Sequence, residues 1–167
     1  LVEKIIFHIC VISGLLKVQE GRITKNPKKL KTVYMPQNVE LLFISETVGG
    51  ELASMGYGKN NIPPYISPSL LQRSPYDLSG GEKQLLALAK LTATEPDLIL
   101  LDEPTKGLDT KSEKIMLDIL KRFTINGATV IMSTHDLAFA KEASDYCSIL
   151  SMGRTTGFTE TEKFFFF

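Results

Sequence analysis

Leu98-Ile99-Leu100-Leu101-Asp102-Glu103-Pro104 is apolar for four residues, turns acidic for two, and stops at a proline. A short continuous apolar run of this kind suits a strand buried on both faces of a parallel sheet. Upstream stands a second marked run, Leu78-Ser79-Gly80-Gly81-Glu82. Its S-x-x-E spacing is a capping box at a helix start. The box accounts for Ser79 and Glu82 but not for the glycines between them, which cost about 1 kcal/mol each inside a helix. At a helix N-terminus, glycines bare the backbone N–H groups at the positive end of the dipole, where a phosphate can approach closely.

Outward from these runs the chain alternates. Asp97 to Leu101 is expected as a strand, Lys111 to Phe123 as a helix with Thr110 and Glu113 as its capping box, and Asn126-Gly127 as its stop. Ala128 to Ser133 reads as the next strand, Leu137 to Ser144 as a helix, and Cys147 to Ser151 as a further strand. Towards the N-terminus, Lys31 to Met35 is a strand ended by Pro36, Ser45 to Met55 a helix, residues 56–68 a loop, and Ser69 to Arg73 a short helix. Ser79 to Thr94 is a helix that Pro96 cannot continue. Residues 5–16 read as the end of a buried helix running towards Gly21. Strands alternating with helices predict an α/β fold with a parallel sheet.

The 167 residues carry 19 basic and 19 acidic side chains and are 43% hydrophobic. Such a chain can bury a core, and its balanced charge offers no general attraction for nucleic acid or an anionic membrane. Cys10 and Cys147 are too few for a disulfide framework and point to a reducing compartment. The longest apolar run, Ile5 to Leu16, is about half the length needed to cross a bilayer. The chain starts at Leu1 and ends in four phenylalanines, Phe164 to Phe167, so both ends read as cut or misread boundaries.

Ligands of open α/β sheets bind beyond the carboxyl ends of the strands, where Asp102 and Glu103 fall. Asp102 suits Mg²⁺, which favours one carboxylate together with waters and phosphate oxygens. Glu103 can position or polarise an attacking water. His135, in Ser133-Thr134-His135-Asp136, follows the neighbouring strand and can approach a phosphate held near Glu103. Gln37, just past strand Lys31–Met35, can reach the metal through its side-chain carbonyl.

Taken together, these segments resemble the nucleotide-binding domain of ATP-binding cassette (ABC) transporters. Tyr34-Met35-Pro36-Gln37-Asn38 is similar to the Q-loop, Leu78–Glu82 to the signature motif, Leu98–Glu103 to Walker B with its catalytic glutamate, Gly107-Leu108-Asp109 to the D-loop, and His135 to the switch histidine. A narrower likeness, in Met35-Pro36-Gln37-Asn38, Leu42-Phe43, Glu46-Thr47-Val48 and Leu101–Asp109, is to the ATPase subunits of energy-coupling factor importers, which take up vitamins and transition-metal ions. The resemblance implies a P-loop NTPase-like parallel sheet with helices on both faces and a small helical subdomain. It also implies ATP and Mg²⁺ as cofactors, Glu103 and His135 as catalytic residues, and Asp102 and Gln37 as metal ligands. Gln37, Ser79, Gly80, Gly81, Glu82 and Asp109 would contact nucleotide. The partners it implies are a second ABC ATPase subunit, joined head to tail, and a transmembrane coupling subunit at the cytoplasmic face of the cell membrane, with no nucleic acid. Residues 39–95 would form the helical subdomain, 1–38 and 96–153 the core, and 154–167 an irregular tail.

The chain departs from the family at one place that matters. No G-x-x-x-x-G-K-[ST] occurs in it. Counting back from Gly14-Leu15-Leu16-Lys17, the phosphate-binding lysine falls near Ile5 and its hydroxyl neighbour near Ile6; Lys4 is one position off, and Leu1-Val2-Glu3 are not glycines. An arginine common shortly after the signature is replaced by Leu85. Three readings are open: a cassette ATPase lacking its first strand and phosphate loop through truncation, a degenerate cassette that lends its signature motif to a complete partner without hydrolysing, and a chromosome-maintenance or DNA-repair relative. The last ranks lowest, because those proteins place a long coiled coil between Q-loop and signature, and residues 38–78 carry no heptads. Intact Glu103 and His135 favour the first.

Overall fold

The computed structural model describes residues 9, 11–24, 30–58 and 60–166. Three parallel strands form its main sheet in the order β1 (Thr32–Met35), β2 (Leu98–Asp102), β3 (Thr129–Ser133). Thr32 lies beside Leu98 and Met35 beside Leu101, while Leu98 pairs with Thr129 and Asp102 with Ser133. Every residue of β2 is buried, as its unbroken apolar run requires.

Side-chain alternation along β2 divides the core in two. Ile99 and Leu101 face a large cluster with Met35, Leu86, Leu88, Met116 and Leu120. Leu98 and Leu100 face the other way, onto Ile9, Ile12, Leu30, Tyr34 and Ile131. Ile9 and residues 11–13 are helical, so helical residues cover both faces. That helix ends at Gly14 (φ +88°) and does not run on towards Gly21; Leu15 and Leu16 are exposed. Lys4, Ile5, Ile6 and the rest of the expected phosphate loop lie outside the described residues.

Helix α1 spans Val48–Ser54, α2 Gly80–Thr92, α3 Thr110–Ile125 and α4 Leu137–Ala143. The expected Ser45–Met55 helix is shorter, because Thr47 is its N-cap and accepts from the Gly50 amide. In place of a helix over Ser69–Arg73 there is a 3₁₀ turn at Pro68–Leu70. The capping box assigned to Thr110 and Glu113 does not form. Asp109 is the N-cap, its carboxylate accepting from the Ser112 amide at 2.8 Å. A carboxylate next to the positive-φ Gly107 turn takes the cap and draws Thr110 into the helix.

The largest correction lies at the C-terminal end. Cys147–Ser151 does not add a strand to the parallel sheet. Instead β4 (Tyr146–Cys147) pairs antiparallel with β7 (Thr159–Glu160), and β5 (Leu150–Ser151) with β6 (Arg154–Thr155). Met152 and Gly153 both have positive φ (50° and 77°), the backbone of a two-residue hairpin turn, and this reverses the chain after Ser151. Residues 154–167, expected as an irregular tail, therefore contain two short strands and helix α5 (Thr161–Phe164), whose Thr161 is buried.

Candidate functional site

Two clusters of candidate residues emerge, one at the carboxyl end of the sheet and one at the start of α2. Adjacent parallel strands run about 4.8 Å apart, so the loops leaving β1, β2 and β3 open side by side. They carry Gln37, Asp102-Glu103 and His135 in that order.

Asp102 ends β2 and is buried. Its Oδ1 accepts a 2.6 Å hydrogen bond from the Ser133 hydroxyl, which fixes the carboxylate across the strand pair. Glu103 follows in the left-handed region at φ 50°, a conformation costly for a residue with a Cβ. Its amide donates to the Ser133 carbonyl at 2.9 Å and its carbonyl accepts from the Lys106 amide at 3.1 Å, so backbone bonds on both sides hold the turn. The turn delivers the Glu103 side chain to His135. Oε1 lies 3.3 Å from His135 Nε2, and Oε2 accepts from the His135 amide at 3.3 Å. The imidazole is 66% exposed against 12% for the carboxylate, so the pair faces outward from a buried root. Gln37 is half-buried beside this end, and its amide has no hydrogen-bond partner among the described residues.

No group of three or more His, Cys, Asp or Glu able to cage a metal occurs among the described residues. One buried carboxylate, one hydroxyl and one free amide are instead the donor set that suits Mg²⁺ arriving with phosphates and its own waters. The residues fit that ion.

The second cluster is built on the capping box. Ser79 Oγ accepts from the Glu82 amide at 3.4 Å, and Glu82 Oε2 accepts from both the Ser79 amide and the Ser79 hydroxyl at 2.8 Å. Ser79 and Gly80 are exposed while Gly81 is buried. Gly81 has a packing reason that its sequence did not disclose. A Cβ there would sit 3.1 Å from Ser112 Oγ and 3.6 Å from Leu108 Cδ2, so the glycine lets α2 close onto the Gly107–Asp109 turn. Gly80 meets only the Gly107 carbonyl, at an ordinary 3.4 Å. Asp109 is exposed, and hydrogen bonds from the Ser112 hydroxyl and amide hold its carboxyl below the usual range. No hydrogen bond or ion pair joins Ser79–Glu82 to Asp102, Glu103 or His135 among the described residues.

Sequence reading missed two supports. Ser133, the anchor of Asp102, was visible only through strand register. The ion pair of Glu51 with Lys90, buried between α1 and α2, left no local pattern at all.

Comparison with known proteins agrees with this fold. Residues 65–140 match a family described as "AAA domain, putative AbiEii toxin, Type IV TA system". An ABC transporter ATP-binding protein from Bacillus anthracis is 30% identical over 177 residues, which cover 94% of this chain and 32% of that protein. The energy-coupling factor transporter ATP-binding protein EcfA2 of Mesomycoplasma hyopneumoniae is 43% identical over 89 residues, covering 53% of this chain and 30% of that one. A solved structure of an ATP-binding subunit of an ABC transporter superposes with a TM-score of 0.76 over 94% of this chain and 74% of that one, at 24% identity. The sheet and its helices have the ABC ATPase form of the P-loop NTPase fold. The chain is a homologue of ABC transporter ATP-binding domains. It spans about a third of the length of the Bacillus relative.

Proposed function

We propose that the chain carries the hydrolytic and signature surfaces of an ATP-driven importer subunit of the energy-coupling factor type. The observation that carries this reading is the Glu103–His135 pair, 3.3 Å apart on adjacent strand ends beside an anchored Asp102. Asp102 and Gln37 would hold Mg²⁺, which neutralises phosphate charge. Glu103 would orient the attacking water and take its proton, and His135 would donate to the transferred phosphate. Ser79, Gly80, Gly81 and Glu82 would present their helix start to the nucleotide of a second subunit, and Asp109 would lie along that same interface. The exposure of Ser79 and Gly80 at that helix start supports a head-to-tail pair.

A hydrolysing parent is favoured over a degenerate cassette because the left-handed backbone at Glu103 is a cost. A chain freed from hydrolysis would have no reason to keep it. The exposed Leu41, Ile44 and Tyr76 support docking against a membrane-embedded partner at the cytoplasmic face. No helix among the described residues is long and apolar enough to cross a membrane.

The 167 residues contain no G-x-x-x-x-G-K-[ST] sequence, the pattern whose amides and lysine hold β- and γ-phosphates. Titration of the ¹⁵N-labelled chain with Mg-ATP is therefore expected to move the amides of Gly80, Gly81, Glu103 and His135 with half-saturation in roughly the millimolar range. Micromolar affinity would refute the weak-binding part of this reading, and silence at both clusters would refute the site itself.

A further inference from the structure

The segment after Gln37 carries two exposed apolar side chains, Leu41 at 73% and Ile44 at 82%. Its backbone and side chains are tied to α2 and its approach at three points. Tyr76, three residues before Ser79, donates its hydroxyl to the Phe43 carbonyl at 3.2 Å, and its ring meets Phe43 edge-on with centroids 6.2 Å apart. Lys83, directly after the capping box, places Nζ 2.6 Å from Glu40 Oε1. Lys90, two turns further along the same face of α2, donates to the Leu42 carbonyl at 2.6 Å and to Glu51 Oε2. Glu51, fully buried, uses its other oxygen to accept from the amides of Ile44 and Ser45, the latter at 2.6 Å. Tyr76 and Lys83 thus bracket Ser79-Gly80-Gly81-Glu82, and both hold the same short segment.

We propose that Tyr76, Lys83 and Lys90 are positioning residues that make segment 40–45 and the start of α2 one body. A load on the Leu41–Ile44 face then moves the first-turn amides of α2. The proposal rests on reading that helix start as a phosphate site. Their side chains are spent on segment 40–45 and Glu51, so they act through the backbone of Ser79–Glu82.

Amide exchange in the full chain tests it, read at residues 41–45 and at Glu82 and Lys83. Lys83→Met, Glu40→Gln and Tyr76→Phe are each expected to speed exchange about tenfold at both places, because a shared opening exposes both. The swapped pair Glu40→Lys with Lys83→Glu is expected to restore protection at both. Lys90 is tested in the double variant Glu51→Gln with Lys90→Met, which removes both buried charges together and avoids stranding one. Unchanged protection overturns the proposal. So does loss at 41–45 with Glu82 and Lys83 unmoved, or failure of the swapped pair to restore both. Titrating the parent chain with sulfate and with Mg-ATP separates the underlying reading: no response at Gly80 and Gly81 sinks the phosphate site while leaving the exchange result to decide the coupling.

Discussion

Helices α1 and α2 begin alike in sequence, each with a hydroxyl cap, a glycine pair and a glutamate: Thr47-Val48-Gly49-Gly50-Glu51 against Ser79-Gly80-Gly81-Glu82. The first-turn amides of α1 are all engaged. Val48 donates to the Arg73 carbonyl at 3.0 Å, Gly49 to the Leu71 carbonyl at 2.9 Å, Gly50 to the Thr47 hydroxyl and Glu51 to the Thr47 carbonyl. In α2 only Glu82 and Lys83 have partners, both on Ser79, and the amides of Gly80 and Gly81 have none among the described residues. The glutamates diverge in the same way. Glu51 is sealed inside against Lys90, whereas Glu82 folds back on its own cap at the surface. Glycine pairs at helix starts are therefore not signals of anion binding in themselves. What separates the two is whether protein acceptors already occupy the donors.

The largest effect expected from this contrast is at Glu51. Lys90→Met leaves a buried carboxylate without its cation and is expected to lower stability by about 3–5 kcal/mol, read as a fall in the urea midpoint. Glu82→Gln, at the open helix start, is expected to cost under about 1 kcal/mol. Equal losses at the two positions would break the comparison.

Next come the glycines. A Cβ at Gly49 would meet the Leu71 carbonyl oxygen at 3.0 Å, and that atom is backbone already bonded to the Gly49 amide. Gly49→Ala should cost about 1–3 kcal/mol. Gly80→Ala meets no such obstacle and should leave stability unchanged or raise it by up to about 1 kcal/mol, since alanine is the better helix former. Gly81→Ala falls between, because its neighbour is the Ser112 hydroxyl, and adding Ser112→Ala should recover most of the loss. A Gly80→Ala variant as unstable as Gly49→Ala would show that the start of α2 is closed in solution.

Much of this was legible in the residues, for reasons that can be stated. The run Leu98–Leu101 identified the central strand because a strand buried on both faces cannot carry polar residues. The Ser79–Glu82 box was readable because both of its bonds are local. What was hidden depends on partners distant in sequence. Glu51 and Lys90 sit 39 residues apart, and each alone looks like an ordinary solvated helix charge. Asp109 displaced Thr110 as the cap of α3 because two overlapping cap patterns compete, and only the preceding turn decides between them. Glu103 at positive φ was unreadable, since glutamate there is disfavoured and only the bonds to Ser133 and Lys106 hold it. Gly81 was assigned one purpose from sequence and has a second, packing one.

Smaller in size is the loss of a cap. Ser79→Ala removes the acceptor for the Glu82 amide and the donor to Glu82 Oε2, and should cost about 0.5–2 kcal/mol. Thr47→Ala should cost a similar amount. Only the Ser79 variant is expected also to change how the Gly80 and Gly81 amides respond to Mg-ATP, measured by titration of their NMR shifts.

The smallest expected effect concerns the turn against which α2 rests. Asp109 caps α3, and its carboxyl is held below its ordinary value of 3.8 by hydrogen bonds from the Ser112 hydroxyl and amide, with Lys111 adding to the shift. The folded chain therefore binds that proton less readily than the unfolded one. The stabilisation is complete above pH 3.8 and is lost as pH falls below it towards the folded-state value. Asp109→Asn keeps a capping oxygen but cannot titrate, so its deficit against the parent chain should be constant above about pH 5 and shrink below the ordinary value. A deficit that stays flat into strong acid would show that the carboxylate is not held by Ser112. Ser112 matters to both helices, since its amide donates to Asp109 Oδ1 at 2.8 Å and its hydroxyl stands 3.1 Å from where a Gly81 side chain would begin.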